Sequence, residues 1–200
     1  GKLIRRMTGN SPGSLGLHPA VYFYNEKGRH SRFLFLGTVG FLAEPLRNNN
    51  KKFFADFTQV RGDLEKILIT QKGLINQGLA NVNSKQRIDR VTEMLQGIED
   101  DLHHSKKVDG ARVLFHLGLK GRVAEIQQLK YPESFSLDTK SATFIADSIK
   151  GAPRCPICGG LLDPPKSISY DHKLRKQDGG DGAPGNAQMT HPYCNTGVKN

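Results

Sequence analysis

Cys155-Pro156-Ile157-Cys158 opens and His191-Pro192-Tyr193-Cys194 closes the stretch that decides how the C-terminal part of this chain folds. Each is a pair of metal-ligand residues separated by two others. Two such knuckles close a tetrahedral site, with thiolate sulfur and imidazole nitrogen as the donors that zinc prefers. Gly159-Gly160 directly after the first knuckle gives the backbone room to turn back. The gap from Cys158 to His191 is longer than a plain zinc ribbon needs, so something is inserted between the knuckles. A redox role for Cys155 and Cys158, or an ordinary surface position for His191, are the competing readings. A metal site, however, accommodates all three cysteines of the chain at once. An odd cysteine count clustered at one end argues against a disulfide framework and suits a reducing, cytoplasmic compartment. A module this small buries little core, so the metal is expected to supply most of its folding energy.

The insert carries the reactive side chains. Ser167-Ile168-Ser169-Tyr170 alternates like a strand and delivers Asp171-His172 at its end. A glycine-rich loop follows, from Gly179 to Gly185, and Asn186 opens a second short segment. Asn195 sits immediately after the last knuckle cysteine. Taken singly, an Asp-His pair is more often a surface turn than a catalytic site. The order and framing of these residues carry the reading.

That order resembles the HNH endonuclease family: Cys-x-x-Cys, Asp-His, a glycine-rich loop, Asn, then His-x-x-Cys-Asn. The resemblance covers residues 153–200. It implies a ββα-metal core, in which a hairpin and a following helix hold one divalent ion beside a structural zinc. His191 stands where a cysteine is more usual, and Asn195 where many members have histidine. The resemblance further implies that His172 is the general base that takes a proton from the attacking water, a task suited to an imidazole. Asp171 and Asn195 would give oxygen ligands to a catalytic Mg²⁺ or Mn²⁺, both hard cations. Asn186 would orient the His172 ring. Lys173, Arg175, Lys176 and Lys199 are candidates for DNA phosphate contacts, although each reads equally well as a solvated surface charge. The expected products are a 5′-phosphate and a 3′-hydroxyl. One such site cuts one strand per event, so a double-strand break would need a homodimer or two successive nicks. The chain stops at Asn200, which predicts a very short third element.

The composition agrees with a polyanionic partner. The formal charge is +10, and each phosphate neutralised releases condensed counterions. Within 153–200, Arg154, Lys166, Lys173, Arg175, Lys176 and Lys199 face Asp163, Asp171, Asp178 and Asp181, so most of the excess lies upstream. Mean hydropathy is −0.49. No apolar run approaches the roughly 18 residues that span a bilayer, and no secretory signal peptide is expected.

Upstream, residues 1–30 read as irregular, except that Ala20-Val21-Tyr22-Phe23-Tyr24 forms a strand or a buried segment. Apolar spacing predicts a buried helix over Phe33–Leu46, ended by Asn48-Asn49-Asn50. A long amphipathic helix follows through Phe53, Phe54, Phe57, Val60, Leu64, Ile67 and Leu68, running on toward Leu79. Asn83-Ser84 reads as the cap of the next helix, which should bury Ile88, Val91, Met94, Leu95 and Ile98 and expose Glu99, Asp100 and Asp101. A shorter apolar segment spans Val113–Leu119. One more helix lies between Leu137 and Ile149, closed by Gly151-Ala152-Pro153.

The run from Ser14 to Tyr24 followed by Gly28-Arg29-His30, and Phe54–Leu68 with Arg61 and Glu65, resemble segments of GmrSD-like restriction proteins. That resemblance implies a bacterial restriction or anti-phage role, with a nucleotide-dependent domain upstream of this chain. The opening Gly1-Lys2-Leu3, without methionine, is compatible with that expectation. The fold class expected is therefore α+β: a mainly helical domain over 1–152, then a zinc-stapled HNH domain over 153–200. Two functions compete, a metal-dependent DNA endonuclease and a non-catalytic zinc-ribbon module that binds nucleic acid. Asp171, His172, Asn186 and Asn195 favour the first, because a binding ribbon needs neither a base nor oxygen ligands.

Overall fold

The computed structural model describes residues 1–119 and 133–198. Its helices are α1 (Lys2–Met7), α2 (Pro19–Tyr22), α3 (Arg32–Arg47), α4 (Lys51–Thr70), α5 (Lys72–Ala80), α6 (Arg87–His103), α7 (Gly110–His116) and α8 (Leu137–Gly151). Strands β1 (Ser169–His172) and β2 (Ala187–Thr190) form a two-stranded antiparallel sheet. The class is α+β. No helix among the described residues is long and apolar enough to cross a membrane.

The chain divides into two compact units, Pro19–Gly151 and a second made of Gly1–His18 together with Ala152–Asn200. The division falls between Gly151 and Ala152. The first eighteen residues, assigned above to the helical part, instead group with the C-terminal unit.

In the helical unit, Ser31 accepts a hydrogen bond from the Leu34 N–H and starts α3, while Asn50 accepts from Phe53 N–H at 3.1 Å and starts α4. Each cap satisfies a donor the first helical turn would otherwise leave open. The inward stripe of α4 holds Phe54, Phe57, Leu64 and Leu68, and Phe41 of α3 meets Phe53 and Phe57 in an aromatic cluster. Thr92 of α6 donates to the Gly37 carbonyl of α3 at 3.0 Å, which ties those two helices at their crossing. Arg61 and Glu65, both fully buried, pair at 2.8 Å, and the Tyr22 hydroxyl donates to the same carboxylate at 3.1 Å. Lys72 Nζ donates to the carbonyls of Val21 and Tyr24, and burial pushes its pKa down to about 8.

Several expectations change in detail. The Ala20–Tyr24 segment is buried as expected but is helical at Pro19–Tyr22. The long amphipathic stretch breaks at Gln71 into α4 and α5. Asn83 turns the chain one turn before α6 starts, accepting from Lys85 N–H. Asp101, expected to be exposed, is only 1% exposed. Helix α7 returns over it, and Arg112 reaches the carboxylate at 2.5 and 2.8 Å and His116 at 2.6 Å. Helix α8 forms where its apolar spacing placed it, yet buries none of its residues, and Phe144 is 71% exposed.

In the second unit, Cys155, Cys158, Leu162 and Cys194 form a small core packed by Ile157, Ile168 and Met189. Strand β1 pairs with β2 so that Ser169 faces Thr190, Tyr170 faces Met189, Asp171 faces Gln188 and His172 faces Ala187. The N-terminal residues, read from sequence as irregular, form α1 and then a strap across this core. Gly9 N–H donates to Ser167 Oγ at 2.6 Å, Ile168 N–H to Asn10 Oδ1 at 2.9 Å, and Tyr193 N–H to the Ser14 carbonyl at 2.9 Å. Leu15 and Leu17 of the strap are buried.

Candidate functional site

The first knuckle is a tight turn in which Cys155 N–H donates to the Gly160 carbonyl and Gly159 N–H to the Cys155 carbonyl. It brings Cys155 and Cys158 together, and the chain after β2 brings His191 and Cys194 to the same point. The ligand atoms of all four residues lie within 4.8 Å of one another, and all four residues are buried. They are placed to bind a metal ion. His191 Nε2 lies 2.9 Å from the Leu161 carbonyl, which can only accept, so Nε2 carries the proton. Nδ1 therefore keeps its lone pair and sits 3.3 Å from Cys158 Sγ. A metal-binding histidine is ordinarily held in this way by a carbonyl on its second nitrogen. Hydrogen bonding from Cys158 and Cys194 holds the Cys155 thiol below its ordinary pKa, whereas Cys194 is pushed up by sharing hydrogen bonds with Cys155 and Cys158 and by burial. Three buried thiols this close cannot all ionise unless a cation sits among them. Three soft sulfurs with one imidazole are the donor set of a structural zinc site.

Asp171 and His172 lie at the end of β1, as expected. Asp171 is 9% exposed, and its carboxylate accepts a hydrogen bond from Gln188 Nε2 at 2.9 Å. His172 is half-buried. Between the strands, residues 173–186 form a compact loop containing two 3₁₀ turns, Lys176–Asp178 and Pro184–Asn186. Asn186 closes it: Oδ1 accepts from Leu174 N–H at 2.7 Å, and Nδ2 donates to the carbonyls of Leu174 and Asp181. Its side chain thus braces the loop that follows His172 through the Leu174 and Asp181 backbone. At Gly180 the backbone runs against the Leu174 carbonyl, leaving no room for a Cβ.

Asn195 stands in a π-helical turn, Cys194–Val198, which occupies the place of the expected short helix. Its Nδ2 donates to Ser169 Oγ at 2.8 Å and to the Tyr170 carbonyl at 3.1 Å. The candidate oxygen ligand from this turn therefore lies against the strand that carries Asp171. Of the four basic residues expected to meet phosphate, Lys173 Nζ donates to the Gly185 carbonyl and Arg175 pairs with Asp178 at 2.7 Å. Lys176 is exposed, and Lys199 lies outside the described residues. Gln188, which the sequence reading did not single out, hydrogen-bonds Asp171 across the hairpin. Its signal was available, a polar side chain two positions beyond Asn186 in the second strand of the hairpin. The strap residues gave no comparable signal, because a segment 158 residues away in sequence has no local pattern to reveal its partner.

Comparison with family models, with curated proteins and with solved structures finds no match to this chain.

Proposed function

We propose that this chain is a metal-dependent DNA endonuclease of the HNH type. The arrangement that best supports the reading is the β1–β2 hairpin. It carries Asp171 and His172 on one strand, and Asn195 hydrogen-bonds back onto that strand from the turn after the other. Cys155, Cys158, His191 and Cys194 would hold a structural zinc that fixes both ends of the hairpin. Asp171 and Asn195 suit a Mg²⁺ or Mn²⁺ ion, since a carboxylate and an amide oxygen are hard donors. Such an ion supplies charge stabilisation at the scissile phosphate and the departing oxygen. His172 takes a proton from water as the water oxygen bonds to phosphorus. The bond from phosphorus to the 3′ oxygen breaks, and that oxygen leaves as a hydroxyl after gaining a proton from solvent. Exposed Lys176, with Lys173 and Arg175 released from their internal partners, would meet the flanking phosphates. The setting we infer, a bacterial restriction or anti-phage protein with a nucleotide-dependent partner domain, rests on the upstream resemblance alone.

A duplex labelled on one strand and incubated with the zinc-loaded chain tests the chemistry. Mg²⁺ or Mn²⁺ should yield fragments with 5′-phosphate and 3′-hydroxyl ends, and Asp171→Ala and Asn195→Ala should each reduce the rate at least a hundredfold, the scale of losing a group that stabilises transition-state charge. An intact duplex bound by the wild-type chain would favour the zinc-ribbon binding module instead.

A further inference from the structure

The hydrogen bond between Gln188 and Asp171 joins residues that face each other across the β1–β2 pair, and both are at least partly buried. We infer that Gln188 is a positioning residue that holds the Asp171 carboxylate in the orientation needed to bind the catalytic divalent ion. The inference rests on the nuclease reading above.

The chemistry of the pair favours this role over a merely structural one. A carboxylate buried to this degree needs a donor, because burying an unpaired charge is costly. Lysine or arginine in the second strand would satisfy it too, but each would cancel the charge a cation requires. An amide donates one hydrogen bond while leaving the carboxylate anionic. The bond goes to Oδ2 at 2.9 Å, so it sets the rotation of the carboxylate plane as well as its place. The hairpin is fixed on its other side as well, because Asn195 donates to Ser169 Oγ and the Tyr170 carbonyl immediately before Asp171. Gln188 thus restrains the side chain of one candidate ligand, and the other candidate ligand restrains its backbone. Partners that orient a metal ligand in this way are commonly worth 10–100-fold in affinity (about a tenfold loss at least is expected here).

Calorimetric titration of Mn²⁺ into the zinc-loaded full chain tests this directly, comparing wild type, Gln188→Met, Gln188→Ala and Asp171→Asn. Methionine keeps the bulk of glutamine and lacks the donor, so it separates the hydrogen bond from packing. Zinc content and thermal midpoint are measured beside each titration. The expected result is that Gln188→Met weakens Mn²⁺ binding about tenfold or more, with zinc content and midpoint unchanged, and that Gln188→Ala does no less. Wild-type affinity in Gln188→Met, with the site abolished in Asp171→Asn, would overturn the role of Gln188 while leaving the nuclease reading standing. A wild-type chain with no Mn²⁺ site sensitive to Asp171→Asn would overturn both, at the metal rather than at Gln188.

Discussion

Nε2 of His191 is committed to the Leu161 carbonyl, so the ring meets the thiols of Cys155, Cys158 and Cys194 through Nδ1. That detail distinguishes a ligand from a surface histidine, and spacing alone did not contain it. Asp101 presents the opposite case. Its place at the end of an acidic run suggested solvent, and burial beneath α7 reversed that. Arg112 chiefly, with His116 and Lys106 also hydrogen-bonded, holds its pKa below the usual carboxylate range against the opposing effect of burial. A carboxylate whose folded pKa lies below its unfolded value contributes stability that is present above about pH 4 and is lost as pH falls toward the folded value. Urea unfolding of the helical unit should therefore show falling stability below pH 4. Asp101→Asn should cost about 1–2 kcal/mol at pH 7, the scale of lost charge-assisted hydrogen bonds, because Arg112 is 35% exposed and its charge keeps access to water. The variant should also lose much of that acid sensitivity. An unchanged pH profile in Asp101→Asn would show that other groups govern it.

Among the elements, the strap from Thr8 to Leu17 ties the second unit together through hydrogen bonds to Ser167, Ile168 and Tyr193. Gly16 sits at φ +59°, where a Cβ would come within 2.9 Å of His191 Cδ2 and 3.1 Å of the Ser167 carbonyl. Gly16→Ala should cost about 1–2 kcal/mol from the left-handed backbone alone. It should also loosen zinc, because the ring it presses on is a ligand. The check is the rate of zinc transfer to a chromophoric chelator, expected to be faster than wild type at equal protein concentration, and an unaltered rate would mean the strap is incidental. The knuckles, the β1 segment and the helices α3, α4, α6 and α8 were legible in sequence because each writes its pattern locally: ligand spacing, alternation, or three- and four-residue apolar steps. The break at Gln71 and the helical state of Pro19–Tyr22 were not, since both are decided by packing. Asn186 was singled out in sequence for orienting the His172 ring, and its observed partners, the Leu174 and Asp181 backbone, follow from how the loop folds and not from its glycine content.

For the molecule as a whole, the two units draw stability from different sources. Pro19–Gly151 has an apolar core with aromatic clusters and buried ion pairs, while the unit of Gly1–His18 and Ala152–Asn200 has a small core centred on its cysteines. A chelator should therefore melt the second unit and leave most of the helical circular dichroism, giving two thermal transitions of which only one responds to zinc. A single transition unaffected by chelation would mean that the Cys3His cluster holds no structural metal. The positive charge is shared between both units, so nucleic-acid affinity should weaken steeply with salt whichever function is correct. Binding alone therefore decides nothing between a cutter and a ribbon. Cleavage does: supercoiled plasmid is incubated in Mg²⁺ and in Mn²⁺ with wild type and with a folded, zinc-replete His172→Ala variant. Conversion to nicked or linear DNA by wild type, lost in the variant, is the expected result, and equal cleavage by both, or cleavage by neither, would contradict the assignment of His172 as the base of an HNH nuclease.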